Sequence, residues 1–421
     1  MPQGRKPVGE RGDRRPLRPL GCREDHRGIR RGTGEDAGGP AHRRGIGRGM
    51  EKRSRAAGTG SVKVNHDYFS LSSRWDNLNY FLAQGHVISH VIDRIKWHLC
   101  PRLFITPSFP THLEIEAASA CQMRCPMCKT TEMIDRGIDF FGVMEMDLYK
   151  RIIDEASTRP LFSVKLSWRG EPLLNPRIVD MVAYAKERGV KDVAFLSNGE
   201  RLSPELSEEL VRAGLDWISI SFDGMGEVYN RIRKPAVFDE TVAKIKDLRA
   251  VRDRLGMKKP LIRVQSVHSA IRGREGEFLA LWRGVADRVN FIADQKRSTD
   301  QKDYRQDPYY ICPAPWQRMC ISWDGKVVQC YGDYMEGNVL GNVNSSSLYD
   351  IWHGGPFREL RRLMKECRRL ATKPCRTCSD GGLTEEEEVV VDGRRIRAAR
   401  YVHQAVDVKT MESGMGRADE K

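Results

Sequence analysis

Six short runs rich in β-branched and small residues, at 113–117, 163–168, 192–196, 216–222, 261–267 and 287–293, alternate with stretches of helical periodicity. One such stretch carries Ile178, Met181, Val182 and Ala185; another carries Val242, Ile245, Leu248 and Leu255. The alternation predicts parallel strands joined by crossover helices. The runs are nearly all apolar or small, as expected where both faces of a sheet are covered. Six units predict an α/β fold, a partial (β/α)6 barrel, with a doubly wound open sheet as the alternative. Both architectures put chemistry at the C-terminal ends of the strands.

The flanking segments differ in composition. Residues 1–58 hold sixteen Lys/Arg against seven Asp/Glu, a net of +9 out of the chain's +14. They are rich in Gly and Arg and too poor in apolar side chains to offset the entropy of ordering. They read as a disordered basic arm or as a stretch upstream of a start at Met50, and no specific nucleic-acid partner is expected. Residues 59–110 read as a helical extension with one amphipathic helix over 75–99, where Phe81, Ile88, Val91, Ile92, Ile95 and Leu99 recur at helical spacing. That helix is expected to pack on the main domain; Trp97 and Lys96 keep membrane contact as the weaker alternative. The main domain is expected over 111–297, a small cysteine-rich domain over 298–383 and a charged tail over 384–421. Within the last two, a hairpin is expected around Trp323-Asp324-Gly325-Lys326, a helix at 356–368 and a short strand pair around Asp392-Gly393, the rest of the tail being disordered. No apolar run is long enough to span a bilayer. No apolar signal core opens the chain, so a cytoplasmic protein is expected.

Nine of the eleven cysteines fall into two groups. In a reducing compartment such groups bind metal or do redox chemistry more often than they form disulfides. Cys121, Cys125 and Cys128 lie on one loop directly after the first strand. Three thiolates can hold three irons of a cubane and leave the fourth iron open. A Cys₃ zinc site is the competing possibility, but no His or further Cys follows within thirty residues to complete it. The isolated Cys100 reads as a small buried hydrophobe.

The loop Cys121-Gln-Met-Arg-Cys125-Pro-Met-Cys128 resembles the hallmark of the radical S-adenosylmethionine (SAM) superfamily. The likeness recurs in Trp168-Arg169-Gly170-Glu171-Pro172, which is similar to that family's Gly-Gly-Glu-Pro motif with Arg169 in place of the first Gly. It recurs again in Leu196-Ser197-Asn198-Gly199 and in Ser219-Ile220-Ser221-Phe222-Asp223-Gly224. Each motif alone is weak; four in order, each at the end of a predicted strand, are specific. The resemblance spans about residues 111–380. It implies a [4Fe–4S] cluster on Cys121, Cys125 and Cys128 that binds SAM and reduces it to methionine and a 5′-deoxyadenosyl radical. It also implies an external one-electron donor such as flavodoxin or ferredoxin. By the same resemblance Met127 packs beside adenine. Gly170 and Glu171 receive the SAM ammonium, Ser197 and Ser221 contact SAM, and Arg233 binds its carboxylate.

Downstream, Cys312-Pro-Ala-Pro-Trp316, Trp323 to Cys330, Gly341-Asn-Val, Leu348 to Trp352 and Cys375-Arg-Thr-Cys378 resemble the SPASM/twitch extension of the same superfamily. One closing C-x-x-C implies a single auxiliary [4Fe–4S] cluster, with Cys312, Cys330, Cys375 and Cys378 as ligands and Cys320 and Cys367 as spares. A Cys₄ zinc site is the alternative. A fully ligated auxiliary cluster implies electron transfer and hence a net oxidation. The expected substrate is a sugar, cyclitol or related alcohol, as in the aminocyclitol dehydrogenases that this layout resembles. A peptide-modifying maturase is the runner-up, disfavoured because 59–112 lacks the strands of a leader-binding domain. A non-enzymatic iron–sulfur or zinc protein is the third possibility. His268, Lys165, Arg263 and Gln265 are the candidates for a substrate base or pocket.

Overall fold

A computed structural model describes residues 69–294, 306–307 and 309–401. All six expected strands form: β2 (His112–Ile115), β3 (Ser163–Lys165), β4 (Asp192–Ser197), β5 (Trp217–Ser221), β6 (Leu261–Val267) and β7 (Arg288–Ile292). They pair in parallel in sequence order. A two-residue β1 (Phe69–Ser70) caps β7 antiparallel at one edge. At the other edge β8 (Arg318–Ile321) adds parallel to β2, and β9 (Lys326–Val328) and β10 (Val339–Asn342) follow antiparallel. The cysteine-rich segment thus continues the same ten-stranded sheet, in the order β1-β7-β6-β5-β4-β3-β2-β8-β9-β10.

The crossover helices explain one face of this sheet. Ile152, Ile153, Met181, Val182, Leu210, Val211, Ile245 and Leu248 are buried against Val164, Val193, Phe195, Ile218, Ile220 and Val264. The helix Pro204–Arg212 starts where Ser203 accepts a hydrogen bond from the Leu206 amide and Pro204 supplies a preset first turn. Successive strand residues point to opposite faces. The other face therefore carries Glu114, Lys165, Ser219, Ser221, Arg263, Gln265 and Asn290, which the register places side by side. The expectation of strands apolar on both faces is thereby corrected: one face is apolar under the helices, the other a polar surface.

The single helix expected over 75–99 is two helices, Arg74–Ala83 and Val87–Arg102. Gly85 and His86, both at positive φ, break it, a conformation in which Gly is at no disadvantage. These helices cross the N-terminal ends of the strands. Trp97 lies 6.0 Å from His112 and beneath Arg318, the first residues of β2 and β8. His90 packs on Phe162, just before β3. Lys259, just before β6, donates to the Gln84 carbonyl. Their outer stripe does not pack on the main domain: Ile88, Val91, Ile92, Ile95 and Leu99 are exposed.

The hairpin around Trp323-Asp324-Gly325-Lys326 forms between β8 and β9, with Gly325 at φ +90°. The expected helix at 356–368 is Gly355–Lys365. The strand pair expected around Asp392-Gly393 forms, and it is longer than expected. Thr384–Val391 (β11) and Arg394–Tyr401 (β12) form a hairpin of eight paired residues on Asp392-Gly393, both at positive φ as a tight two-residue turn requires. Residues 1–68, most of the expected linker at 298–310 and residues 402–421 lie outside the described residues. Among the described residues no helix is long and apolar enough to cross a membrane.

Candidate active site

The loop after β2 carries Cys121, Cys125 and Cys128, and the ends of the next strands reach in to hold it. Gly170 lies so close to this loop that a Cβ there would stand 2.4 Å from the Ala120 carbonyl oxygen and 2.5 Å from that of Ala118. Glycine is required at 170 by that close approach of two backbones. The neighbouring Glu171 amide donates to the Ala120 carbonyl (2.8 Å). The Glu171 carboxylate is buried and accepts from Ser197 Oγ (2.8 Å), the Asn198 amide (2.8 Å) and the Leu173 amide (3.1 Å). Burial outweighs these donors and pushes its pKa up to about 7. Ser197 thus touches Glu171, and both fasten the ends of β3 and β4 together.

Two donors point at the cysteine sulfurs. Arg233 Nη1 lies 3.6 Å from Cys125 Sγ, and Asn198 Nδ2 lies 3.9 Å from Cys121 Sγ. The Arg233 guanidinium also pairs with the buried Asp223 carboxylate, which accepts from the Val267 amide (2.7 Å). Arg233 is therefore already neutralised by Asp223. Asn198 in turn holds Gln122, which donates to Glu200 (2.8 Å). Asn198 and Asp223 sit inside motifs read from the sequence, yet their side-chain roles come from contacts between strand ends. Ser221 stands beside Gln265 in the register of β5 and β6, and Met127 is half-buried against the core.

The thiols suit a cationic iron centre. Burial raises the pKa of Cys121 to about 12 and that of Cys125 to about 11, and each neighbouring thiolate adds repulsion. Such a group ionises when a metal supplies compensating charge. Among the described residues no three His, Cys, Asp or Glu side chains sit close enough together to hold one metal ion.

The second cysteine set converges as expected. Cys312, Cys330, Cys375 and Cys378 line one small cavity with Tyr331 and Asp380. Burial raises the pKa of all four, and repulsion from neighbouring thiolates adds to it at Cys312, Cys330 and Cys378. Gln329 Nε2 donates to Cys375 Sγ (3.0 Å), and the buried Arg369 donates to the Cys375 carbonyl (2.9 Å). Cys320 is buried on β8 beside Glu114 and Glu116 and does not line the cavity; neither does Cys367. Cys100 is half-buried on the helix Val87–Arg102.

The two cysteine regions are joined at Trp168-Arg169. Trp168 Nε1 donates to the Tyr331 carbonyl (2.7 Å). Arg169 forms a two-pronged pair with Glu116 (2.7 Å each), reaches Glu336 (2.8 Å) and donates to the Tyr334 carbonyl (3.2 Å). The residue that departs from the Gly-Gly-Glu-Pro pattern is thus the tie between the SAM-motif loop and the segment following Cys330.

Of the four pocket candidates, three share the polar sheet face. Lys165 pairs with Glu114, Arg263 donates to Ser219 Oγ (2.9 Å), and Gln265 lies beside Asn290. His268 does not join them. Its Nε2 is 3.0 Å from Glu275 and its Nδ1 3.1 Å from Glu387 of the C-terminal hairpin, while the ring stacks on Phe291. Both ring nitrogens are engaged by carboxylates. Glu387 is over a hundred residues away in sequence.

An α/β sheet with a three-cysteine loop at its first strand end and a four-thiol centre beside it defines a radical SAM protein. The radical SAM superfamily model matches residues 115–257 and the SPASM iron–sulfur cluster-binding domain matches residues 312–379. The chain belongs to the radical SAM superfamily, is a radical SAM enzyme, and carries a SAM-binding [4Fe–4S] site and an auxiliary iron–sulfur site. It is 26% identical over 303 residues to the tungsten-containing aldehyde ferredoxin oxidoreductase cofactor-modifying protein of Pyrococcus furiosus, covering 60% of this chain and 84% of that protein. It is 23% identical to the S-adenosyl-L-methionine-dependent 2-deoxy-scyllo-inosamine dehydrogenase of Niallia circulans (66% and 95% covered). To the PqqA peptide cyclase of Granulibacter bethesdensis it is 24% identical (64% and 79% covered). The crystal structure of BtrN in complex with AdoMet and 2-DOIA aligns with a TM-score of 0.45 at 20% identity, covering 64% of this chain and 93% of that one.

Proposed function

We propose that this enzyme is an oxidoreductase that uses SAM to oxidise a C–H position of a small polar substrate, a sugar, cyclitol or related alcohol. The observation that carries this reading is a pair of buried, unsatisfied amides on the polar sheet face. Gln265 Oε1 and both amide atoms of Asn290 are buried without a hydrogen-bond partner, and the two residues are register neighbours on β6 and β7. Leaving such groups unpaired costs about 1–3 kcal/mol each, a cost that hydroxyl groups of a ligand would offset. Arg263, two residues before Gln265 on the same face of β6, supplies positive charge for orienting a hydroxyl or its developing oxyanion.

On this reading Cys121, Cys125 and Cys128 hold the cluster to which SAM binds. Glu171 keeps lone pairs for the SAM ammonium, and Met127, Gly170, Ser197 and Ser221 line the SAM site. Arg233, tied to Asp223, steadies the Cys125 sulfur. When bound, SAM and its cluster supply one-electron C–H opening, and the four-thiol centre of Cys312, Cys330, Cys375 and Cys378 supplies a sink for the second electron. The Trp168–Tyr331 and Arg169–Glu336 contacts hold that centre against the SAM-motif loop. An external donor such as flavodoxin or ferredoxin delivers the first electron.

The test is anaerobic reconstitution with iron and sulfide, then SAM, reductant and a panel of cyclitols, sugars and peptides. The expected result is 5′-deoxyadenosine formation coupled to oxidation of a polyol, with Cys375→Ala sparing SAM cleavage while product formation falls. Coupled modification of a peptide, with no polyol turned over, would replace this reading with that of a peptide maturase.

A further inference from the structure

Of the eighteen large apolar side chains exposed among the described residues, eleven lie between Trp75 and Ile105, so exposed apolar side chains concentrate in this one segment. Its centre is the helix Val87–Arg102, whose Ile88, Val91, Ile92, Ile95 and Leu99 recur at 3.6-residue spacing along the outer stripe. Ile88 is 78% exposed, and on the preceding helix Trp75 is 71% exposed. Soluble monomers rarely show a contiguous apolar surface of this extent without a use for it.

We propose that this face is an in-plane docking surface for an anionic lipid bilayer. Charge selects the occupant. The helix has one acidic side chain, Asp93, which is buried and paired with Arg94. Its fully exposed charged residues, Lys96 and Arg102, are both basic and flank the apolar stripe. An apolar stripe with basic borders on a helix too short to span is the pattern of a helix lying at the headgroup boundary. A second copy of the chain would bring the Lys96 and Arg102 charges of both copies to one apolar seam where the helix offers no exposed acidic side chain to pair them. Residues 1–58, at net +9, carry the same sign as those borders and few apolar side chains with which to cover the stripe.

The placement of this helix gives the docking an orientation. Trp97, His90 and Gln84 meet the N-terminal ends of the strands, whereas the cysteine loop and Glu171 lie at the C-terminal ends. A bilayer on the outer stripe therefore leaves the SAM and substrate site facing away from the membrane. Docking concentrates the enzyme at a surface without blocking a soluble substrate.

The experiment is flotation of the reconstituted full-length enzyme with phosphatidylcholine vesicles, with and without phosphatidylglycerol. Flotation is expected only with phosphatidylglycerol and is expected to be lost at high salt. The double variant Ile92→Asp/Ile95→Asp should lower the bound fraction at least about tenfold while soluble 5′-deoxyadenosine formation is unchanged, since both positions are exposed and remote from the cysteines. Lys96→Glu/Arg102→Glu should weaken flotation as well. The proposal is overturned by absence of flotation at low salt, or by flotation that neither variant alters, which would assign it to the basic arm. It is equally overturned by a wild-type dimer that Ile92→Asp/Ile95→Asp dissociates without vesicle binding, or by an acidic partner protein bound in preference to vesicles.

Discussion

The two cysteine regions are built in opposite ways. Cys121, Cys125 and Cys128 come from one eight-residue loop, and the structure around them serves to aim that loop: Gly170 permits its approach, while Asn198 and Arg233 point donors at its sulfurs. Cys312, Cys330, Cys375 and Cys378 come from segments spread over 67 positions and converge only because β8–β10, the helix Gly355–Lys365 and Arg369 bring them together. The first set is a local motif inside a fold that stands without it. The second is assembled by a region whose Trp316, Trp352, Phe357 and Leu360 are buried in the same core as the sheet, and bonds to a metal centre would add to that packing. Removing a cysteine should therefore have different consequences in the two places.

The largest effect is expected at the first set. Cys121→Ala should abolish SAM cleavage and lower bound iron while leaving the stability of the cluster-free protein within about 0.5 kcal/mol of wild type, because Cys121 is only half-buried and packs at the edge of the core. The checks are 5′-deoxyadenosine by chromatography, iron content and calorimetry. Undiminished cleavage would remove the cluster from this loop, and a large drop in cluster-free stability would erase the contrast with the second set.

The next effect lies at the tie between the regions. Arg169 is buried and neutralises the fully buried Glu116 while reaching Glu336. Arg169→Leu should destabilise the protein by about 3–5 kcal/mol because it leaves Glu116 charged and alone. Arg169→Leu/Glu116→Leu should recover part of that loss, since two apolar groups replace a buried pair. Coupling of SAM cleavage to product should stay impaired in both variants, because neither restores the hydrogen bonds to Tyr334 and Glu336. Denaturant midpoints and the ratio of 5′-deoxyadenosine to product distinguish the two losses. Full recovery of coupling in the double variant would show that Arg169 matters for stability alone.

Much of this contrast is legible in the sequence, for reasons that follow from locality. Strands β2–β7 announce themselves by composition and alternation with helices, and the C-x-x-x-C-x-x-C loop by its own spacing. The break at Gly85-His86 is missed because the apolar period continues across it, and a period reports the face of a helix, not its continuity. The polar face of the sheet is missed because Lys165, Arg263 and Gln265 each read as one polar residue in an apolar run; only the register sets them beside Glu114, Ser219 and Asn290 respectively. His268 shows the converse: its partner Glu387 comes from a hairpin over a hundred residues away, so no local pattern announces the contact. The spare cysteines could not be sorted by spacing, because the direction of Cys320 depends on the pairing of β8 with β2.

The smallest effect sharpens the comparison from the side of the first set, where Glu171 joins two strand ends. Its carboxyl has an ordinary value of 4.5, and burial raises this to about 7 against the opposing hydrogen bonds from Asn198, Ser197 and Leu173. The folded state therefore holds a proton that the unfolded state has released, so stability falls as pH rises from about 4.5 to about 7 and levels off above that. Glu171→Gln has no proton to release and should show a flatter profile across that window. The difference between wild type and variant should change by about 1–3 kcal/mol. Urea midpoints of both proteins at intervals from pH 5 to pH 8 measure it. Parallel profiles would mean that Glu171 is ionised in the folded protein at the lower pH, held so by the donors on Asn198, Ser197 and Leu173. A steeper loss in wild type would mean instead that the carboxylate is forced into charge beside the cysteine loop as pH rises, which is the condition under which a bound ammonium group there gains the most.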